Sequence, residues 1–324
     1  MKFRIFIVLS LLFSAATAVA QNRNMTAVAF YNVENLYDTL PSRFYDDTPF
    51  TPQGRKVWNT ERYARKIVNI GRVIDEMSAD VLGLAEVENE AVVRDLVNSL
   101  STDYNYIHAS TSDSRGMDLA VLYKGDRFFP DSVSLVNSKV GREFLYVRGQ
   151  YCGADVQFVF CHLPSRLNKP DYCEKAFYEL HRLIYDLLDE KPDANVIVLG
   201  DFNASPVEKL MRLYMGRSGA KDAFMTCVLN DVYRSGFGSY FADGTWLLFD
   251  NIFVNPDFFR NSGFKLADAG VYAQPYMLHL ASDGKTLVGG GGRNVPMRTF
   301  EGNKYLGGYS DHLPVFMVLE KQDR

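Results

Sequence analysis

The sequence predicts an α/β domain built from two packed sheets with helices on the outside. Three observations carry this expectation. Short apolar runs that drive into polar residues occur on both sides of the midpoint, as in Val81-Leu-Gly-Leu-Ala-Glu-Val-Glu88 and Val196-Ile-Val-Leu-Gly-Asp-Phe-Asn203. Strands of this kind are buried on both faces and need cover on each side. Amphipathic helical segments alternate with them near the start of the chain, giving a βαβα order. No shift of composition and no repeat of about 20 to 50 residues divides the chain, so one domain is expected over residues 21–324.

The 324 residues are 47% hydrophobic, with 23 Phe and 19 Tyr, enough for a large core and too apolar for disorder of the bulk. Residues 1–20 stand apart. Lys2 and Arg4 begin them, Ile5 to Phe13 is apolar, and Ala18-Val19-Ala20 precedes Gln21. This is the pattern of a secretory signal peptide, too short in its apolar run to serve as a stable membrane anchor. Export to a periplasmic or extracellular location follows. Removing the leader takes away two of 35 basic residues and none of 39 acidic ones, which leaves a formal charge of −6. Such a chain lacks the electrostatic footprint of a protein that coats nucleic acid. The cysteines Cys152, Cys161, Cys173 and Cys227 match no zinc spacing, and structural roles are expected for them, paired or free.

In order, Ala27 to Asn35 begins as a strand and ends in polar residues, and Tyr37 to Trp58 is a polar, proline-interrupted excursion. Thr60 is read as the cap of a helix carrying Tyr63, Ile67, Ile70 and Ile74 on one face. A strand from Val81 and a helix from Glu90 to Leu100 follow. Strands are then expected at Tyr104 to Ala109, Asp118 to Lys124, Phe129 to Leu135, Phe144 to Cys152 and Val156 to Leu163, the last two as a hairpin with Gly149 and Gly153 at turns. A long helix at Asp171 to Asp189 leads to the strand at Val196. Then come a helical piece at Val207 to Met215, a strand at Trp246 to Val254, a Gly-rich excursion from Ala281 to Gly308 and a final strand at Leu313 to Glu320.

Polar residues collect at five of these strand ends: Asn32, Glu86, His162, Asp201 with Asn203, and Ser310-Asp-His312. Singly, each is the kind of residue that makes a turn or a cap. Together, carboxylates, amides and two histidines supply what metal-assisted hydrolysis of a phosphate ester needs. A hard cation such as Mg²⁺ (or Mn²⁺) takes carboxylate and amide oxygens and recruits substrate phosphate. One histidine can accept the proton of an attacking water, and another can donate to phosphoryl oxygens. Asp250, inside the apolar run Trp246 to Val254, is an expensive charge to bury unless a partner such as His312 stands against it. Asp118, opening an apolar strand after Arg115-Gly116, is the carboxylate placed to do the same for His162.

The ordered set Asn32, Glu86, Arg115-Gly-Met-Asp118, His162-Leu-Pro-Ser-Arg166, Gly200-Asp-Phe-Asn203, Asp250-Asn-Ile252 and Ser310-Asp-His312 resembles the endonuclease/exonuclease/phosphatase superfamily of DNase I-like hydrolases. The resemblance runs from Asn32 to Pro314, with no core motif missing. It implies a four-layer α/β/β/α sandwich of two mixed sheets with outer helices and a site at one end. It implies Glu86 as principal metal ligand beside Asn32 and Asp311, with Asp201 and Asn203 holding water and a phosphoryl oxygen. His312 with Asp250 is the implied catalytic pair, and His162 the phosphate-facing histidine. Arg115 and Arg166, in loops beside these motifs, are candidate phosphate clamps, with Ser165 next to them. The expected enzyme is an exported, Mg²⁺-dependent, monomeric phosphoesterase that acts with water as nucleophile. Nucleic acid leads its possible substrates, with sugar, inositol or lipid phosphates as the alternative. A binding protein that keeps the fold without the chemistry is the competing class. The excursions at Tyr37 to Trp58 and Ala281 to Gly308 are expected to rim the site, the second through Arg293 and Arg298.

Overall fold

A computed structural model describes residues 24–165, 167, 169–216, 224–280 and 294–322. The leader, Arg166, Arg293 and the glycine run at 289–292 lie outside the described residues. In chain order the first strands are β1 (Met25–Leu36), β2 (Val81–Val87), β3 (Asn105–Ala109), β4 (Asp118–Tyr123), β5 (Phe128–Val136), β6 (Phe144–Tyr151), β7 (Ala154–His162), β8 (Val196–Asp201) and β9 (Thr226–Cys227). They continue with β10 (Tyr240–Ala242), β11 (Thr245–Leu247), β12 (Asp250–Val254), β13 (Phe264–Val271), β14 (Leu278–Leu280), β15 (Asn294–Pro296), β16 (Phe300–Glu301), β17 (Lys304–Tyr305) and β18 (Val315–Lys321). The longer helices are α1 (Thr60–Met77), α2 (Glu90–Ser99) and α3 (Pro170–Glu190).

Two six-stranded mixed sheets form, in the orders β13-β18-β1-β2-β4-β3 and β5-β6-β7-β8-β12-β9. Each has one parallel pair, β1 with β2 and β7 with β8, and each pair is joined by a helical crossover, α1 or α3. The period-two alternation of β1 explains the layering. Val28 and Phe30 join the core shared with Phe158, Phe160 and Val198, while Ala29 and Tyr31 pack with Ile67, Ile70 and Ile74 of α1. Gly83 leaves room between the sheets, because a Cβ there would lie 2.4 Å from the Phe160 ring. The α/β sandwich expected from the sequence is the observed fold.

Local departures have simple causes. Asn59, not Thr60, caps α1, accepting from Arg62 N at 3.0 Å. Gly149 is not a turn but lies within β6, close against Phe129 of β5, and the β6–β7 turn is Cys152-Gly153, both at positive φ. The expected strand at Trp246 to Val254 divides into β11 and β12, so Asp250 opens a strand instead of sitting mid-run. The Tyr37 to Trp58 excursion carries a small core of its own, in which Trp58 is fully buried with Tyr37, Met117 and Phe300. All four cysteines are free thiols, three of them buried. No helix among the described residues is long and apolar enough to cross a membrane.

Candidate active site

The carboxyl ends of both parallel pairs point to the same end of the sandwich, but the backbone presents their side chains differently. In the second sheet the ladder is regular: His162 pairs with Asp201, and Asp201 with Asp250. Three adjacent strands therefore set His162, Asp201 and Asp250 in one transverse row. In the first sheet the ladder breaks. The pairing shifts after Asn32 in β1 and around Glu86 in β2, with Glu34, Asn35 and Glu86 at φ of 53°, 51° and 65°. A bulge of this kind re-aims a side chain. Here it turns Glu86 toward the row, where Asn35 N donates to its Oε2 at 2.8 Å.

The pieces converge. Asn32 Nδ2 donates to Asp201 Oδ2 at 3.0 Å and reaches Glu86 Oε1 at 3.4 Å, while its oxygen accepts from Glu34 N at 3.0 Å. His162 Nε2 lies 3.6 Å from Glu86 Oε1 and 3.8 Å from Asp201 Oδ2. His312 Nε2 lies 3.8 Å from the same Asp201 oxygen, and its Nδ1 is 2.6 Å from Asp250 Oδ2. Asn203, at φ 49°, donates its backbone N–H to Asp201 Oδ1 and its amide to Leu163 O. The expected His312–Asp250 pair is present and offsets the burial of the Asp250 carboxylate, whose Oδ1 has no hydrogen-bond partner, while the backbone N–H of Asp250 donates to Ser239 Oγ.

Burial pushes Asp201 upward from the carboxylate range, with Asp250 adding to the effect against the pull of His312. Burial alone would make His312 less basic, but Asp250 and Asp201 outweigh it and hold the ring well above its ordinary value. His162 goes the other way: burial, then the positive charge of Arg142 and Arg115, holds it well below. Two histidines in one site thus differ in charge, because one faces carboxylates and the other guanidinium groups.

These groups open on a cavity of about 780 Å³, a size suited to a small ligand or a few units of a polymer. Glu86, His162, Ser165, Asp201, Asn203, Asp311 and His312 line it, as does Arg115, whose guanidinium is held by Asp113 at 2.9 Å. Asp118 departs from its expected place. Its carboxylate is taken by His108 Nε2 at 2.8 Å and by Thr111 N at 2.7 Å, because antiparallel pairing of β3 and β4 sets His108 beside it. It does not orient His162. Neither excursion contributes a described lining residue. Tyr37 and Tyr45 instead back the site by bonding Arg115 O and Glu88, and Arg298 lies within the electrostatic reach of Asp311 and Tyr240. The remaining wall comes from Ser112 to Arg115, Arg142, Tyr172 and the β10–β11 hairpin. Arg142 and Tyr240 belong to no motif, and the basic side chain in Gly141-Arg142-Glu143 was the one available signal.

A cation fits one part of this site better than another. Ligand atoms of Asp201, Asp250 and His312 lie within 4.8 Å of one another. In that trio Nδ1 of His312 is already engaged by Asp250, and Asp201 accepts from Asn32 Nδ2 and Asn203 N, so its donor atoms are bonded to one another and to their neighbours. Glu86 and Asp311 both line the cavity and carry carboxylates, the donors a hard divalent cation prefers. Asn32 as oriented turns its NH₂ toward the carboxylates, so it contributes to a cation on Glu86 only by presenting its oxygen instead.

A buried pair steadies the far wall. Glu34 accepts from Thr299 N at 2.6 Å, and Lys66, 3.8 Å from Glu34, donates to Thr299 Oγ1 and Tyr309 O. Ser310 Oγ donates to Asn32 O at 2.7 Å and accepts from His312 N, which fixes the loop carrying Asp311 and His312. Burial, with Asp311 nearby, pushes Glu34 up to about 7.

Residues 27–321 match a family model described as the Endonuclease/Exonuclease/phosphatase family. No curated protein matches. Among solved structures, an endonuclease/exonuclease/phosphatase family protein from Bacteroides thetaiotaomicron is similar at 15% identity and a TM-score of 0.59, covering 91% of this chain and 97% of that one. A mannosyl-6-phosphatase from the same organism shares 16% identity, with a TM-score of 0.59 and coverage of 91% and 99%. D. rerio TDP2 complexed with a single-strand DNA product shares 14% identity, with a TM-score of 0.58 and coverage of 92% and 99%. At these identities the likeness concerns the fold.

Proposed function

From the premise that the chain belongs to the endonuclease/exonuclease/phosphatase family and is a phosphoesterase, we propose that it is an exported, Mg²⁺- or Mn²⁺-dependent hydrolase using water as nucleophile. The observation that carries the reading is the row His162, Asp201, Asp250, with His312 closing on Asp201 across a 3.8 Å gap beside the cavity-facing Glu86. Glu86 and Asp311, with Asn32 beside them, would hold the cation. Bound there, the cation supplies Lewis-acid charge neutralisation at the phosphate oxygens.

The chain's own groups divide the rest of the work. Asp201, held by Asn32 and by the backbone of Asn203, fixes the attacking water and receives its proton, a task suited to a carboxylate of raised pKa. His312, kept charged by Asp250, donates from Nε2 toward the phosphoryl oxygens as negative charge grows on them. His162 donates from the opposite side, and Arg115 faces the same cavity as a phosphate clamp.

The leading substrate reading is a nuclease acting on ends or single strands. A mature charge of −6 disfavours avid binding to duplex, and the cavity accommodates a short segment. A similar fold in a structure with single-strand DNA product supports it, as a similar fold in a mannosyl-6-phosphatase supports the alternative, a sugar phosphate. Hydrolysis of bis(p-nitrophenyl) phosphate, oligonucleotides, plasmid DNA and sugar phosphates with Mg²⁺ or Mn²⁺ is the test. Activity is expected to vanish with EDTA and in Asp201→Ala and His312→Ala. Turnover that survives both changes would sink the mechanism. Export predicts a mature chain that starts at Gln21, read by N-terminal sequencing of the secreted or periplasmic protein.

A further inference from the structure

We infer that Arg142 is the positioning residue of His162: its guanidinium, held by Asp113, donates to Nδ1 and so fixes the ring proton on Nε2, the nitrogen that faces Glu86 and Asp201. The inference rests on the hydrolase reading for its purpose, but its geometry stands independently.

A catalytic imidazole needs its far nitrogen bound, or its tautomer is undefined. The usual partner is a carboxylate or carbonyl, which accepts a hydrogen bond and so places a proton on the far nitrogen. The sequence offers Asp118 for this, yet Asp118 is occupied by His108 and Thr111. Arg142 Nη1 stands 3.5 Å from His162 Nδ1 instead. A guanidinium has donors only and does not lose its proton in proteins, so Nδ1 in this contact must be the acceptor. The remaining ring proton is then on Nε2, 3.6 Å from Glu86 Oε1 and 3.8 Å from Asp201 Oδ2, the edge at which a phosphoryl group would sit. The ring offers that group one hydrogen bond and has no second proton to pass on.

Arg142 is itself held on several sides. Its Nη1 is 2.7 Å from Asp113 Oδ2, and its backbone N–H donates to Ser138 Oγ at 2.9 Å. Glu143 accepts from Ser112 N and Oγ at 2.9 and 2.6 Å, which ties the Arg142 segment to the loop that carries Asp113. Tyr172 OH donates to Val140 O and fixes the other side. The Arg142 side chain is 12% exposed, and that of Asp113, at 5%, also binds Arg115. One buried carboxylate thus orients two arginines, one toward the histidine and one toward the cavity.

The test reads the tautomer first. Long-range ¹H–¹⁵N correlation spectra of the native, substrate-free protein should show His162 with a protonated Nε2 and an unprotonated Nδ1. In Arg142→Ala that pattern should give way to a mixture of tautomers, while Asp118→Asn leaves it in place. With bis(p-nitrophenyl) phosphate and Mg²⁺, Arg142→Ala should lower kcat by about 10- to 100-fold, the range typical of lost orienting partners, with a smaller change in KM. Added guanidinium ion should restore part of the loss, and Arg142→Lys should recover less than rescued Arg142→Ala, because an ammonium does not reproduce the planar fork between Asp113 and Nδ1. A native His162 protonated on Nδ1, or an Arg142→Ala protein with the native tautomer, would overturn the inference. If Arg142→Ala does not fold, Arg142→Met, which keeps the apolar stem but has no N–H donor, takes its place under the same criteria. A native protein that hydrolyses no phosphoester would instead defeat the functional reading, and the spectra would still decide the tautomer.

Discussion

The two crossover units, β1–α1–β2 and β7–α3–β8, feed the same site by opposite means. In the second, the strands stay in register to their last residues and deliver His162 and Asp201 as a buried, regular row. In the first, both strands bulge, three residues adopt left-handed backbone, and Glu86 is turned into the cavity with 13% of its side chain exposed. A regular ladder suits groups that exchange protons with one another at fixed distance. A bulged one suits a ligand that must meet something arriving from solution. The comparison teaches that the ladder is broken where an oxygen must be left open and kept in register where the proton is handled.

That division can be broken by experiment, starting with the largest effect. Asp201→Asn should cost on the order of 10³-fold or more in kcat, unrelieved by added metal, whereas Glu86→Gln should cost about 10²- to 10³-fold and recover in part at higher Mn²⁺. Equal rescue of both by metal in steady-state assays would erase the distinction. Next, Lys66→Met leaves Glu34 buried without its partner, and urea unfolding should register a loss of about 3–5 kcal/mol, less where Glu34 takes up a proton. A loss under about 1 kcal/mol, the level of an exposed pair, would mean that Glu34 and Lys66 do not stiffen the first unit. Gly83→Ala should destabilise by about 1–3 kcal/mol, since the new methyl group meets the Phe160 ring and β2 has no slack there. A neutral thermal shift would show that the sheets can part. The smallest effect is in the second unit's distant end. Asp155, bonded by Arg148 and Lys191, is held below the usual carboxylate range. Its contribution is present above the unfolded value near 3.9 and is lost as pH falls through the lower folded value. Because the carboxylate is partly exposed and both its partners reach into solvent, Asp155→Asn should remove only about 0.5 kcal/mol at pH 7, and the difference from native should shrink in acid.

Much of this was legible because apolar runs that stop at a polar residue mark strands whose ends face solvent at one place. Asn32, Glu86, His162 and Asp201 end such runs, His312 stands just before one, and the structure brings them together. The parallel pairs were implied by helices between strands. What failed was partner choice across space. Asp118 looked like the carboxylate for His162 from its position before an apolar strand, but sequence does not show which side chain the neighbouring strand sets beside it, and His108 is that side chain. Arg142 and Asp113 act through a contact between two loops, a relation with no periodicity to read. The Tyr37 to Trp58 excursion was expected to rim the site on sequence proximity to motif residues, as was Ala281 to Gly308, of which residues 281–293 lie outside the described residues. Tyr37 and Trp58 instead build a small aromatic core behind it.

Ser310 Oγ reaches back to Asn32 O across 278 residues, and β18 pairs with β1 along the same line. The site is therefore a late event in the life of each molecule. A ribosome that has released four-fifths of the chain has produced Glu86, His162, Asp201 and Asp250 but not the loop that brings Asp311 and His312 against them. Contacts of such long sequence separation are slow to close. Hydrolytic competence thus arrives only when the last strand docks beside the first, so a prematurely terminated chain carries most of the site's residues and none of its finished geometry.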